Sequence, residues 1–534
     1  MPLKQVGVYG WGIVAPRSPD MESFARNLES SETWLSSFDG FGPDPFLVGQ
    51  PEFDFERYRE WIDERFPPNR YPQLLSKMDP TTLFAIGAFI QSLEQNPGIE
   101  AVLQELGTAA HVYIGTGLGA LPTLHDASIA LDRAQRDWDR FWAHPDRCQA
   151  LRAYLDDPEG TREELGAEVP PDPSEGIEDD FERVDAMRRW NHFWAARSDG
   201  LREYLDALTE IEGISVAGEV ESGKMKALRK KEKEKTRLQE RWGAPPPPWT
   251  QVTTNVLWNI ANTPASQVSM MGRITGLSFA PVAACSTFGV ALRMGMDAIR
   301  RGEARAVVVG ATDPPPHPLI VGGFYRGRVL AADREVSKPL TGLRGTHVSG
   351  GSVIWVVGDR EFMESRGFEP LGMEPVSVGV SSDADHIITP SREGPTHAIR
   401  QALDGAGVQP AEVASWDLHA TATPGDYLEV ETMRGVLPAD VLVTARKGTF
   451  GHGMSAGGGW ELTAQYLGVA RGALYPTPLN PAELNRQIGE MHGSFVFDEA
   501  CPAPRRPVGK LSMGIGGVNA CVLSRPLEAT KATT

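Results

Sequence analysis

Short runs rich in Val, Ile and Gly recur along the chain with helix-length segments between them, and this alternation limits the fold more than any other feature. "HVYIGTGLG" from residue 111, "ARAVVVGATD" from 304, "GSVIWVVGD" from 351 and "KLSMGIGGVNACVLS" from 510 are near-continuously apolar. Strands that are apolar on both faces belong to sheets covered on both sides, so the pattern predicts an α/β architecture. "TFGVALRMGMDAIRRG" from 287 stays apolar almost all round until Arg300 and Arg301, which predicts a helix inside the protein. At 534 residues the chain holds two or three domains' worth of packing.

Between residues 128 and 243 the texture changes. Strand patterns vanish, charge density rises, and proline-rich breaks occur at "VPPDPSEG" and "APPPPW". Two pieces of this block resemble each other: "WDRFWAHPDRCQALRAYLD" from 138 and "WNHFWAARSDGLREYLD" from 190. Each sets Trp, Phe and Trp at i, i+3 and i+4, on one helical face. The block reads as a helical insertion whose aromatic faces pack on each other or on the main body.

A net charge of −18 argues against nucleic-acid binding, which wants a basic footprint. The longest charge-free stretch, "ITGLSFAPVAACSTFGVAL" at 274–292, has the length of a membrane span. Pro281 and its several Ser, Thr and Gly residues fit a strand, turn and buried helix better. The start, "MPLKQVGVYGWGIVAP", reads as a first strand and not as a signal peptide. The four cysteines at 148, 285, 501 and 521 form no C-x-x-C pair, which indicates neither a zinc site nor a redox pair and suits a reducing cytoplasm.

Cys285 sits in "VAACSTFGVAL", where an apolar strand is expected to end and a long helix to begin. A helix N-terminus lowers a cysteine pKa through its unpaired N–H groups and dipole, so this thiol is expected to be reactive. Two of the 11 histidines stand out as proton-handling partners. His419 lies in "DLHATATPGD", just after the strand-like "VASWDL". His452 lies in "RKGTFGHGMSAGGGWELTAQYL", where glycines bend the chain before a helix.

At these residues the chain resembles the β-ketoacyl-(acyl carrier protein) synthases, the condensing enzymes of fatty-acid and polyketide synthesis. The segment from "VAACSTFGVAL" to "VVVGATD" is similar to their nucleophile segment, and "HATATPGDYLEVE" to their first histidine motif. "KGTFGHGMSAGGGWE" resembles their lysine-histidine motif and "SMGIGGVNACVLS" their glycine-rich C-terminal strand. The resemblance covers nearly the whole chain outside the insertion. It implies a thiolase-like fold: two similar α/β halves in a five-layered body, residues 1–365 and 366–534, with the insertion at 128–243 in the first half. It also implies a homodimer.

Carried over residue by residue, Cys285 is the acyl-accepting nucleophile, and His419 and His452 are the pair that handles decarboxylation. Lys447 matches the lysine that supports the second histidine, and Glu461 a structural glutamate of the same site. Asp426 and Glu429 match acidic positions after the first histidine. Gly514, Ile515, Gly516 and Gly517 form the turn that helps build the oxyanion hole, with Ile515 at the position of the usual gating phenylalanine. Ala420 and Ala422 stand where the family usually has glycines. The reaction so implied is a decarboxylative Claisen condensation of an acyl thioester with malonyl-acyl carrier protein, with no metal or organic cofactor. The primer arrives on the carrier protein or on coenzyme A.

Two other functions fit a chain of this kind. A non-catalytic chain-length factor generally lacks the nucleophile, which is present here. A degradative thiolase uses one histidine and a second cysteine near the C-terminus, but Cys521 follows "GGVNA" on an apolar strand and reads as core. An acidic carrier meeting an acidic chain needs a local basic patch. "KMKALRKKEKEKTR" from 224 is the densest one, with Arg300, Arg301 and Arg305 as further candidates.

Overall fold

The apolar runs form two five-stranded sheets in the computed structural model, which describes residues 4–42, 46–166, 168–173, 176–215 and 220–527. The first sheet holds β1 (Val6–Val14), β2 (Ala110–Gly115), β3 (Ser278–Phe279), β4 (Ala306–Asp313) and β5 (Gly351–Asp359), in the order β3-β2-β4-β5-β1. The second holds β6 (Met373–Ser382), β7 (Ser415–Asp417), β8 (Leu442–Thr444), β9 (Val508–Gly514) and β10 (Val518–Pro526), in the order β8-β7-β9-β10-β6. The two orders are the same, shifted by five strands. So are the directions: β3, β2 and β4 run parallel, as do β8, β7 and β9, and antiparallel pairs complete each sheet.

Helices Thr287–Arg301 and Met454–Ala470 lie between the sheets and touch strands of both. Pro80–Ser92 and Thr263–Gly272 cover the outer face of the first sheet, and Glu393–Ala406 covers that of the second. This is a thiolase-like, five-layered α/β body. The helix at 287–301 buries most of its residues, but it is not apolar all round as expected: Arg293, Asp297 and Arg300 are only partly buried and Arg301 is exposed, which gives it one polar edge. The two central helices approach closely because Gly459 has no side chain. A Cβ there would stand 2.4 Å from Val353 Cγ1 and 2.8 Å from the Phe288 ring.

Two readings of strand length need correction. The 274–292 stretch yields only a two-residue strand; the chain then loops through Pro281 into a single 3-10 turn and the helix at Thr287. The 510–524 run is a hairpin of β9 and β10 rather than one strand, turning at Ile515–Gly517. Positive φ at Gly516 (93°) and Gly517 (75°) explains why glycine fills the turn. Among the described residues no helix is long and apolar enough to cross a membrane.

Residues Thr123–Val256 form a separate compact unit of helices. Its two sequence repeats pack reciprocally. Trp138 and Trp142 of the first share a cluster with Tyr204 of the second, whereas Trp190 and Trp194 of the second share one with Leu151 and Tyr154 of the first. The repeats even reuse their polar details. Arg147 and Arg197 lie over Phe141 and Phe193 at 3.8 and 3.6 Å from the ring centroids. Cys148 and Ser198 each cap the helix that follows. The aromatic faces are a core.

Candidate active site

Cys285 occupies the 3-10 turn just ahead of the helix at 287–301, and its turn is under backbone strain. Ala284 has φ of 46°, in the left-handed region that costs an alanine about 1–2 kcal/mol. Ser286 secures the turn from the other sheet by donating its hydroxyl to the carbonyls of Ser512 (3.0 Å) and Val518 (2.7 Å). Thr287 donates to the Ala284 carbonyl at 2.7 Å. The C-terminal hairpin therefore lies directly against the nucleophile turn.

The cavity in front of Cys285 has a volume of about 390 Å³. His419, His452, Met513 and Ile515 line it, together with Thr421, Thr423 and the loop 386–390. The Cys285 sulfur and one ring nitrogen each of His419 and His452 lie within 4.8 Å of one another. The imidazoles stand nearly perpendicular, with ring centroids 5.3 Å apart. All three side chains are buried.

Burial decides the protonation of all three. It pushes the Cys285 thiol up to about 11, against the Ile515 amide and the Lys447 charge, which favour the thiolate less strongly. The expectation that the helix N-terminus lowers this pKa is therefore overturned: desolvation outweighs the amides. Burial likewise holds both histidines well below the usual imidazole range, helped by the positive charges of Lys447 and Lys510. His452 Nδ1 accepts the Met454 amide at 3.2 Å, which leaves the proton of the neutral ring on Nε2.

The supporting residues gather around the histidines. Lys447 donates to Glu461 at 2.6 Å and to the backbone carbonyl of His419, so it touches the first histidine's segment and acts on His452 through its charge. Glu429 accepts the amides of His419 (2.6 Å) and Ala420 (2.7 Å). Asp426 accepts those of Leu340, Thr421 and Ala422, which fixes Ala422 at φ of 61°. In the glycine turn, Gly516 donates to the Ile387 carbonyl and Gly517 to the Gly514 carbonyl, and it is the Ile515 amide, with that of Cys285 itself, that is directed at the sulfur. Ile515 stands at the cavity's lip, 46% exposed.

Four buried residues of this region do not follow from the sequence motifs. Asp313, at the end of β4, accepts from Thr116, Gly117, Leu118 and Ser455 and so ties the loop after β2 to the start of the helix at 454. Asp417, Arg446 and Lys510 form a charged group behind the histidines. Lys510 leaves as its trace a charge inside the apolar run "VGKLSMG", whereas Arg446, beside Lys447 in "TARKGTF", leaves none of that kind. The arginines considered for partner binding are engaged elsewhere: Arg300 donates to the Val376 carbonyl, Arg301 pairs with Glu303, and Arg305 with Asp359.

Two family models match the chain: "Beta-ketoacyl synthase, N-terminal domain" over residues 218–357 and "Beta-ketoacyl synthase, C-terminal domain" over 374–479. Over 282 residues the chain is 29% identical to the 3-oxoacyl-[acyl-carrier-protein] synthase 2 of Staphylococcus aureus, covering 51% of this chain and 66% of that protein. It is 30% identical over 214 residues to the chloroplastic 3-oxoacyl-[acyl-carrier-protein] synthase I of Arabidopsis thaliana, covering 38% and 45%. The chain thus spans less than two thirds of the length of these relatives. Two solved structures share the fold across 98% of this chain and 100% of their own. They are a β-ketoacyl synthase from Burkholderia phymatum (TM-score 0.66, 16% identity) and the ishigamide ketosynthase/chain length factor (0.65, 18%).

Proposed function

This chain belongs to the β-ketoacyl synthase family, and from that premise we propose that it catalyses a decarboxylative Claisen condensation through an acyl-Cys285 intermediate. The observation that carries the reading is the convergence of one thiol and two neutral imidazoles in a buried, largely apolar cavity. Such a site suits acyl transfer, because a nucleophile, proton acceptors and oxyanion donors lie together away from water.

In the first half-reaction Cys285 loses its proton as its sulfur attacks the carbonyl of an acyl thioester. The amides of Cys285 and Ile515, already aimed at this sulfur, hold the oxyanion, and the carrier thiol leaves with a proton. In the second, a malonyl thioester loses CO₂. Neutral rings with Nε2–H, the tautomer that the Met454 amide favours at His452, donate to the developing enolate oxygen. The enolate carbon attacks the acyl-enzyme, the C–S bond breaks with its electron pair going to the Cys285 sulfur, which takes up a proton from solvent, and a β-ketoacyl thioester departs. Burial, helped by the charges of Lys447 and Lys510, keeps the histidines neutral, hence donors and not acids that would quench the enolate. No step calls for a metal or an organic cofactor.

The acyl and malonyl groups arrive on an acyl carrier protein in this reading, and the protein acts as a homodimer. We place the boundary between its two halves near residue 365, in the connection between β5 and β6. His452→Ala tests the division of labour. Malonyl thioester decarboxylation should fall by about 10² to 10³, the usual loss for one preorganised donor, while acyl transfer to Cys285 persists. Decarboxylation at the parental rate would overturn it.

A further inference from the structure

Lys510 lies on β9 with 1% of its surface exposed, in a strand otherwise apolar or small. Its ammonium is 2.7 Å from Glu461 Oε2 and 3.5 Å from Asp417 Oδ1, and neither oxygen has another hydrogen-bond partner. It also donates to the carbonyls of Leu511 (2.6 Å) and Leu418 (3.2 Å). Leu418 directly precedes His419. Three side chains therefore grip three consecutive residues of the histidine loop with four hydrogen bonds. Lys510 takes the carbonyl of Leu418 and Lys447 that of His419, while the two oxygens of Glu429 take the amides of His419 and Ala420.

Charge makes this grip conditional. Glu429 grips both amides only as a carboxylate, because a protonated carboxyl gives up one acceptor. Burial pushes its pKa up to about 7, Asp426 adds to the rise, and Lys510 is the strongest influence holding it down. Lys510 itself stays charged: burial opposes its charge, but Glu461, Asp417 and Glu429 outweigh that. The remaining neighbours are already matched, Arg446 with Asp417 and Lys447 with Glu461. Lys510 is therefore the cation left to balance Glu429.

We propose that Lys510 is a positioning residue for His419, clamping the loop by its carbonyl and keeping Glu429 ionised so that the opposite side is held by two amide bonds. The inference rests on the condensing-enzyme reading for its effect on rate, but not for its effect on the loop. If it holds, the enzyme loses activity on the acid side as Glu429 takes up a proton, and the position of that limb depends on a residue that never touches substrate.

The test compares the parent with Lys510→Met and Glu429→Gln, which keep shape while removing charge. One readout is the pH profile of malonyl thioester decarboxylation; the other is hydrogen exchange, corrected for intrinsic rates, in the peptide spanning 418–421. The parent should lose rate and protection together as pH falls through about 7. Lys510→Met should move both upward by about one pH unit, the scale on which an opposite charge acts. Glu429→Gln should be slow and weakly protected at every pH, with no acid limb. An acid limb that stays at its parental pH in Lys510→Met, whatever uniform loss accompanies it, or an acid limb near pH 7 retained in Glu429→Gln, would overturn the proposal. Should Lys510→Met fail to fold, parental protection that stays flat through pH 7 would overturn it too. A parent with no decarboxylation at any pH refutes the condensing reading instead, and the exchange data still decide the role of Lys510.

Discussion

Cys285 keeps its proton at neutral pH because it is buried, even though two backbone amides aim at its sulfur. In the proposed acyl transfer the thiolate is therefore formed in the act of attack and not stored beforehand. Alkylation by iodoacetamide should accordingly rise about tenfold per pH unit between pH 7 and 9, since the thiolate fraction grows that way below a pKa of about 11. A rate that levels off below pH 8 on peptide mapping of Cys285 would mean a stabilised thiolate. The position of Cys285 was legible from its neighbours; its protonation was not, because burial depends on residues as distant in sequence as His419 and Met513. Backbone strain was equally hidden. Ala284, Ala422 and Met454 all carry positive φ, and each lies within three residues of Cys285, His419 or His452. Nothing in an alanine or methionine announces that conformation, which persists only where surrounding bonds impose it.

At the scale of elements, the C-terminal hairpin does more than a single strand can. Its turn presents the Ile515 amide to the sulfur, its β9 strand buries Lys510, and the carbonyls of Ser512 and Val518, on either side of the turn, accept the Ser286 hydroxyl. Ile515 is stiff at χ1 and smaller than phenylalanine, so it cannot swing an aromatic ring across the cavity lip. Ile515→Phe should change the ranking of acyl chain lengths in condensation assays; an unchanged ranking would put selection deeper in the channel. The helix at 287–301 and most strands were readable because largely apolar runs have few other ways to be buried, although the polar edge at Arg293 and Asp297 shows that the helix is not apolar all round. Strand lengths near 280 and 510 were not, since the 3-10 turn at Ala284–Ser286 and the hairpin turn interrupt apolar runs that look continuous. In the helical unit, the i, i+3, i+4 spacing located the aromatic faces. Their reciprocal packing needs tertiary contact to see.

For the whole molecule, the proposed use of an acyl carrier protein requires a chain at −18 to offer an acidic partner a local basic patch. The helix Val220–Trp242 offers one. Lys231, Lys235 and Arg237 are engaged with Glu212, Glu232 and Glu234, but among the described residues no ion pair holds Lys226, Arg229, Lys230 or Lys233. These four fall at i, i+3, i+4 and i+7, on one exposed face. Reversing Lys226, Lys230 and Lys233 to Glu should raise KM for carrier-bound substrate several-fold at low salt, because rim charges act chiefly on encounter. Small thioester mimics should react as before, and equal effects on both substrates, or on neither, would assign the face to fold maintenance. Strand order repeats between the two sheets, which brings residues more than 100 positions apart into one site. The motifs around Cys285, His419 and His452 could be read locally, whereas their meeting required that duplicated topology. The central claim is that this meeting makes Cys285 an acyl acceptor. Intact-protein mass spectrometry after incubation with a panel of acyl thioesters tests it most directly. The parent should gain the mass of one acyl group, mapped to Cys285, and Cys285→Ala should gain none and lose condensation. An adduct on Cys148, Cys501 or Cys521, or condensation that survives Cys285→Ala, would contradict the account.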